Sequence, residues 1–184
     1  ETLSREDGDD VDFGEIVRPL VRMVEEGLTS PERPVHFTIA GDPGKLPSPA
    51  ATSLAVVLTE LLQNVVDHAY PPGTLGPDEQ ARVGIELSQR AGMLRIAVVD
   101  DGVREEFHPA STSSLGLSIV RGLVAELNGT ITFAPAVTPE ELLADRPVPL
   151  AHSRTGTRVD LRIPVVRAPE PDAKRPPGTG GRSV

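Results

Sequence analysis

Two runs of alternating apolar and polar residues, ARVGIELSQR (81–90) and MLRIAVVD (93–100), are separated by only Ala91-Gly92. Alternation with a period of two predicts β-strands, and a two-residue connection that contains glycine predicts a tight hairpin. The centre of the chain is therefore expected to be a β-hairpin, and this feature constrains how the other segments can be arranged.

Helical spacing of apolar residues marks three further segments. About 14–27 is predicted to be an amphipathic helix, and 115–129 a second one that Gly129 stops. The longest helix is predicted to begin at Ser48 and to end before Pro71-Pro72. Ser48 would be its N-cap and Pro49 its first helical residue, where a missing N–H is tolerated.

Alternating β-branched residues predict more strands at 34–41, 130–134 and 156–165. The sequence PEELLA, within a proline-rich connection over 135–153, is compatible with one short helical turn. About three helices and five or six strands, partly segregated along the chain, predict an α/β (α+β) two-layer sandwich with a mixed β-sheet.

The two ends of the chain differ in composition from its centre. Residues 1–10 are acidic and poor in apolar side chains, and 167–184 are rich in proline, glycine and charge. Such segments cannot bury enough apolar surface to fold, so we expect a flexible N-terminal lead-in and a disordered C-terminal tail. One domain is expected between them, over 11–166.

Charge and composition exclude several classes of function. The formal net charge of −9 argues against a surface that coats nucleic acid, which should be basic. The chain has no cysteine, so disulfides, thiolate metal sites and cysteine nucleophiles are excluded. No apolar run approaches the roughly 20 residues of a membrane span and no signal peptide is visible, so a cytoplasmic domain is expected.

The stretch TELLQNVVDHAY places four polar side chains within the longest predicted helix. At 100° per residue, Glu60, Asn64, Asp67 and His68 fall within one arc of about 100°. An acid and an amide one turn apart can hold a hydrated divalent cation between them. The same four residues can equally form an ordinary solvated helix face.

Three later stretches have the same ambiguity. In VVDDG, Asp100 and Gly102 end a strand, where a carboxylate can accept from a ligand amino group or simply terminate the strand. In SSLGLSIVR, a helix start with Gly116 offers free N–H groups to an anion, while Ser113 can be a plain N-cap. Gly156-Thr157, at the start of the last strand, is by itself a turn.

The order of these stretches is more specific than any one of them. E-x-x-x-N-x-x-D-H-A, D-x-G, a polar loop, L-G-L and G-T follow one another over most of the chain, from about Val11 to Val165. This order resembles the ATP-binding domain of the GHKL superfamily, which includes gyrase, Hsp90, histidine kinases and MutL. Within it, the chain is most similar to the sensor histidine kinases of the HWE/HisKA_2-type branch, as found in actinobacterial cytosolic kinases.

The resemblance implies a Bergerat-type ATP-binding fold with a magnesium site on the long helix. Asn64 matches the asparagine that holds Mg²⁺ between the phosphates, and Glu60 matches the acidic residue that orders water near the metal. Asp100 matches the aspartate that accepts from the adenine amino group. Gly102 allows close approach of the base, and Thr157 supports adenine through water.

The resemblance also assigns the phosphate side of ATP. Residues 103–114 would form a lid, and Leu115, Gly116 and Leu117 would present their amides to the phosphates. His68 would lie beside the triphosphate. Three features depart from the family: Arg104 replaces the second glycine of D-x-G-x-G, Asp67 replaces a common lysine, and only one glycine is present in L-G-L. Arg104 is expected either to reach a phosphate or to hinder entry.

As implied by the resemblance, the chain would deliver the ATP γ-phosphoryl group to a histidine on a separate dimerisation domain. No phosphoacceptor box is present, so this chain alone is expected to bind ATP with Mg²⁺ without phosphorylating itself. The expected partners are that histidine-bearing domain, within a homodimeric kinase, and a response regulator, in some relatives one with an RNA-binding output. The alternatives are a stand-alone serine kinase of the anti-sigma-factor type and a degenerate, non-catalytic interaction module.

Overall fold

The computed structural model describes residues 9–103, 115–136 and 155–165. Three helices and seven strands lie in this part of the chain. In chain order they are β1 (Asp10–Asp12), α1 (Phe13–Leu28), β2 (Val35–Asp42), β3 (Lys45–Pro47), α2 (Ser48–Ala69), β4 (Ala81–Arg90), β5 (Met93–Asp100), α3 (Leu115–Glu126), β6 (Thr130–Pro135) and β7 (Thr157–Pro164).

Five of the strands form one sheet in the order β2-β4-β5-β7-β6. The β2–β4 pair is parallel, whereas β4–β5, β5–β7 and β6–β7 are antiparallel. A parallel pair needs a crossover connection, and the chain supplies it by running through α2 between these strands. The mixed sheet expected from the sequence is therefore confirmed.

The predicted hairpin between β4 and β5 is also confirmed. Arg90 pairs with Met93, and the intervening Ala91 and Gly92 have φ angles of 50° and 72°. Two successive positive φ angles are the mark of a type I′ turn, whose twist matches that of the flanking strands.

Helix α2 is the centre of the helical layer and contacts both α1 and α3. Helical spacing gives α2 an apolar arc, and this arc is buried. Its buried members are Ala51, Leu54, Val57, Leu58, Leu61, Leu62, Val65, Val66 and Ala69. They share one core with buried side chains from the sheet, which include Val83, Ile85, Leu87, Leu94, Ile96, Val98, Val159, Leu161 and Ile163. The two-layer sandwich is thereby confirmed.

The expectation that no apolar run approaches the length of a membrane span is wrong for α2. This helix has 22 residues and, by length and composition alone, could cross a membrane. Most of its apolar side chains are instead part of the core described above, and a core helix of this kind passes the same test. Nothing further about a membrane follows from it.

Two helix boundaries differ from the prediction. Ser48 is already helical, and Pro47 occupies the N-cap of α2 without any side-chain cap. After α3, Asn128 rather than Gly129 adopts the left-handed conformation, with φ of 53°. Gly129 still has a reason to be glycine, because a Cβ atom there would lie 2.8 Å from the carbonyl oxygen of Arg162.

Strands β1 and β3, which the residue pattern did not indicate, form a small antiparallel pair in which Val11 faces Leu46. The pair leads directly into α1: the Asp12 side chain accepts from the N–H of Gly14 at 2.9 Å and so caps the helix. The predicted helical turn at PEELLA lies outside the described residues.

Candidate functional site

The Asp100 carboxylate lies at the end of β5, where that strand leaves the sheet. It is 3% exposed, and it is the only buried charged side chain in the described part of the chain. Its Oδ1 accepts from the backbone N–H of Gly102 at 2.9 Å and from that of Thr157 at 3.2 Å. Within the described residues, Oδ2 makes no hydrogen bond, so Asp100 presents one oriented acceptor oxygen to a ligand.

Burial raises the pKa of the Asp100 carboxyl to about 6. The two backbone hydrogen bonds oppose this rise, and the neighbouring carboxylate of Asp101 adds to it. A buried acceptor of this kind is stabilised by any ligand that supplies an N–H donor, because the new hydrogen bond offsets part of the desolvation.

Two positions beside Asp100, Gly102 and Gly156, require glycine. A Cβ atom on Gly102 would lie 2.6 Å from the Cβ of Ala69 and would also collide with the Ala69 carbonyl oxygen. Gly156 has φ of 62°, and its N–H donates to the carbonyl of Gly102 at 3.0 Å. The end of β5, the end of α2 and the start of β7 therefore meet around the Asp100 carboxylate. A glycine stands at each of the two closest contacts, Gly102 against Ala69 and Gly156 against Asp100.

The four residues of the polar face predicted on α2 differ in how far they are buried. Glu60 and Asn64 are half-buried, whereas Asp67 and His68 are exposed. A Cβ atom on Gly116 would collide with Oε2 of Glu60, so the Glu60 carboxylate lies against the first turn of α3. The structure thus brings Glu60 and Gly116 together, although 55 residues separate them in sequence.

Helix α2 connects the two halves of the site. Glu60 lies beside the start of α3, and Ala69 packs against Gly102 beside Asp100. A rise of about 1.5 Å per residue separates Glu60 and Ala69 by roughly 14 Å along the helix. Asn64 and His68 lie between them on the same helix. The site is therefore elongated, with a buried acceptor at one end and a helix N-terminus at the other.

Leu115, Gly116 and Leu117 form the first turn of α3, as the pattern predicted for a helix start. Leu115 is 78% exposed and Leu117 is buried. The N-terminus of a helix is the positive end of its dipole, which makes this end suited to an anion. Arg104, Ser113 and the predicted lid from residue 104 onward lie outside the described residues.

The oxygen donors on α2 suit a magnesium ion that arrives with phosphates. No cluster of three or more histidine, cysteine, aspartate or glutamate side chains able to hold a metal exists in the described ranges. Glu60 and Asn64 offer two hard oxygen ligands one turn apart. Mg²⁺ commonly uses one or two protein oxygens together with water and substrate phosphate, so this donor set fits the ion.

At Thr157, the described contact is made by the backbone N–H rather than by the hydroxyl. The role in water-mediated adenine binding that the resemblance gave to the hydroxyl stays a prediction. The backbone contact could have been foreseen only from the pairing of β5 with β7, which sets Val99 opposite Arg158.

One polar cluster beside the site was missed by reasoning from the sequence. Tyr70 is fully buried, and its hydroxyl lies 2.6 Å from Oδ1 of Asp101 and 3.0 Å from the carbonyl oxygen of Arg82. The available signal was that the chain's single tyrosine directly follows the D-H-A motif, while a second aspartate follows Asp100.

Comparisons with known proteins identify relatives of this chain. The model of the family "Histidine kinase-, DNA gyrase B-, and HSP90-like ATPase" matches residues 50–167. The sensor histidine kinase PdtaS of Mycobacterium tuberculosis is 32% identical over 170 residues, which cover 91% of this chain and 30% of that protein. The chain thus spans less than a third of this relative.

Solved structures show the same fold. The histidine kinase domain of the Erythrobacter litoralis EL346 blue-light activated histidine kinase superposes with a TM-score of 0.63 at 20% identity, covering 89% of this chain and 66% of that one. The mycobacterial sensor histidine kinase MprB superposes with a TM-score of 0.53 at 20% identity, covering 87% and 100%.

Proposed function

Since the chain belongs to the histidine kinase-, DNA gyrase B- and HSP90-like ATPase family, we propose that it is the ATP-binding catalytic domain of a two-component sensor histidine kinase. In the whole kinase it would deliver the γ-phosphoryl group of ATP to a histidine on a separate dimerisation domain. The observation that carries this proposal is Asp100, a buried carboxylate with one oxygen held by two backbone donors and the other without a hydrogen bond to any described residue.

Asp100 recognises the base in this proposal. Its Oδ2 accepts from the adenine amino group, while the Gly102 and Thr157 amides keep the carboxylate oriented. Gly102 leaves room for the base because it has no side chain. A site built around a buried acceptor discriminates strongly against a ligand without the matching donor, since the acceptor would then stay unpaired.

The other end of the site receives the triphosphate. Glu60 and Asn64 hold Mg²⁺, the first turn of α3 from Leu115 to Leu117 meets the phosphates, and His68 lies beside them. The metal would neutralise phosphate charge. Phosphoryl transfer depends mainly on such positioning and charge neutralisation, which explains why this domain needs no nucleophile of its own.

The partners of the domain and its compartment are proposed from its similarity to sensor histidine kinases such as PdtaS. The histidine-bearing domain would belong to the same homodimeric kinase, and the phosphoryl group would pass to a response regulator, including regulators with an RNA-binding output. The proposed compartment is the cytoplasm, where ATP is available. No described feature favours a serine kinase or a non-catalytic module over this function.

Calorimetric titration of the 184-residue chain with ATP, with and without Mg²⁺, tests the proposal. We expect ATP binding that Mg²⁺ strengthens, and a loss of at least about tenfold in affinity for Asp100→Ala. The substitution Arg104→Gly restores the family glycine and shows whether Arg104 assists or hinders entry. If neither the natural chain nor Arg104→Gly binds ATP, the proposal is wrong.

A further inference from the structure

Tyr70, which is buried, and Asp101, which is partly exposed, form a junction of three chain segments. Tyr70 directly follows α2, Arg82 lies near the start of β4, and Asp101 directly follows β5. The Tyr70 hydroxyl donates to Oδ1 of Asp101 at 2.6 Å, and it accepts from the Asp101 N–H at 3.2 Å. The same Oδ1 accepts from the Arg82 N–H at 3.0 Å. Every one of these contacts involves Asp101 and fixes where its backbone lies.

This junction adjoins the turn that carries the site. Asp101 stands between Asp100 and Gly102 in the chain. On the far side of Gly102, the Val103 N–H donates to the carbonyl of Ala69 at 2.8 Å. The end of α2 therefore holds the turn twice, through Ala69 and through Tyr70, and Gly102 lies between the two attachments.

The Tyr70 side chain is not available to touch a nucleotide directly. Tyr70 has no exposed surface, and Oδ1 of Asp101 is already occupied by two donors. Burial, followed by the proximity of Asp101, holds the pKa of Tyr70 well above its usual range, so the hydroxyl stays protonated and remains a donor. Any influence of Tyr70 on the ligand must pass through the turn that carries Asp100.

We propose that Tyr70 and Asp101 are positioning residues for base recognition, because their hydrogen bond holds the Asp100–Gly102 turn against the end of α2. This inference rests on the proposed ATP-binding function. Loss of the hydrogen bond loosens Asp100 and leaves the phosphate end of the site, around Glu60 and Gly116, unchanged. The contacts with adenine should weaken, while contacts with the triphosphate should persist.

Dissociation constants for ATP and inosine triphosphate separate these two effects. Inosine triphosphate carries the same phosphates and lacks the amino group that Asp100 would accept from. For Tyr70→Phe we expect ATP binding to weaken about tenfold with inosine triphosphate binding unchanged, so the preference for ATP falls by the same factor. Asp101→Ala should reproduce this result. Asp101→Asn keeps an acceptor oxygen for Tyr70 and should retain the natural preference.

A matched control distinguishes positioning from general destabilisation. Phe13 is a fully buried aromatic side chain in α1, and Phe13→Leu should lower the melting temperature without changing the ratio of the two affinities. If Tyr70→Phe does not fold, Asp101→Ala alone decides the matter. An unchanged preference for ATP in Asp101→Ala or in a folded Tyr70→Phe variant overturns the positioning role, whereas failure of the natural chain to bind ATP overturns the proposed function instead.

Discussion

The Asp100 carboxylate accepts a hydrogen bond from the backbone N–H of Thr157 at 3.2 Å, although 57 positions separate the two residues in the chain. The contact exists because β5 and β7 are neighbours in the sheet, so the end of one strand lies opposite the start of the other. It keeps a charged group oriented in an environment that otherwise penalises its charge.

Asp100 should make the folding stability depend on pH. Its pKa in the folded protein is raised to about 6, mainly by burial, whereas an unfolded aspartate titrates near about 3.9. The folded state therefore takes up a proton before the unfolded state does, and ionised Asp100 destabilises the fold above pH 6. Between pH 7 and pH 4, the Asp100 contribution to the free energy of unfolding should rise by about 2 kcal/mol.

Urea denaturation of the natural chain and of Asp100→Asn measures this contribution. Asparagine stays neutral, so the stability advantage of the variant over the natural chain should be largest at pH 7 and shrink towards pH 4. Asp78→Asn removes an exposed negative charge and controls for the change in net charge. A difference that stays constant over this range would contradict the assigned titration.

Gly102→Ala should destabilise the protein and weaken nucleotide binding. The new methyl group would lie 2.6 Å from the Cβ of Ala69 and would also collide with the Ala69 carbonyl group. This carbonyl belongs to the backbone of α2, which cannot easily move aside. Overpacking of this kind costs about 1–3 kcal/mol. Thermal denaturation gives the stability, and ATP titration gives the affinity.

Gly122→Ala is the matched control for Gly102→Ala. Gly122 lies inside α3, and a Cβ atom there meets nothing within 4 Å. Alanine is favoured over glycine in a helix by about 1 kcal/mol, so this variant should be more stable than the natural chain. Equal effects of the two substitutions would show that the crowding at Gly102 is not what requires glycine.

Gly116→Ala should affect binding more than stability. Its methyl group would meet Oε2 of Glu60, the far end of a flexible side chain that can move aside. The displaced carboxylate would no longer be placed to assist Mg²⁺, so we expect Mg²⁺ to strengthen ATP binding less, by about tenfold. A melting temperature close to that of the natural chain would accompany this loss. Undiminished Mg²⁺ dependence would remove Glu60 from the proposed metal site.

Asn64→Ala should abolish phosphotransfer in a full-length kinase that contains this domain. Removing a positioned electrostatic contact from a transition state commonly lowers the rate by about 10²–10³. The exposed neighbour Gln63 supplies the control, since Gln63→Ala alters the same helix away from the proposed site. Radiolabelled phosphate transfer to the dimerisation domain measures both. A kinase whose signalling survives Asn64→Ala would be using this domain as a scaffold.

Local features account for the elements that the sequence predicted well. The β4–β5 hairpin depends on two residues, Ala91 and Gly92, and on the alternation of the strands beside them, all within a short span. The apolar arc of α2 likewise follows from helical spacing alone. The N-cap of α2 was predicted wrongly because Ser48 has the right chemistry, while Pro47 already provides the extended conformation that precedes the helix.

Site residues were predicted as separate stretches, and their assembly depended on resemblance. Spacing on one helix shows that Glu60 and Asn64 share a face, but it does not show which of the four polar residues is half-buried. Tyr70 and Asp101 had no local signature, because their contact joins the end of a helix to the end of a strand through a third segment at Arg82.

The sequence by itself determined the periodic elements and the four motifs, since each of these is formed by residues a few positions apart in the chain. Only the tertiary structure decided that β2 pairs in parallel with β4, that Thr157 closes on Asp100, and that Gly116 meets Glu60. Those contacts join residues far apart in the chain. They form because α2 must bury its apolar arc on the sheet, and this packing brings both ends of the site into place.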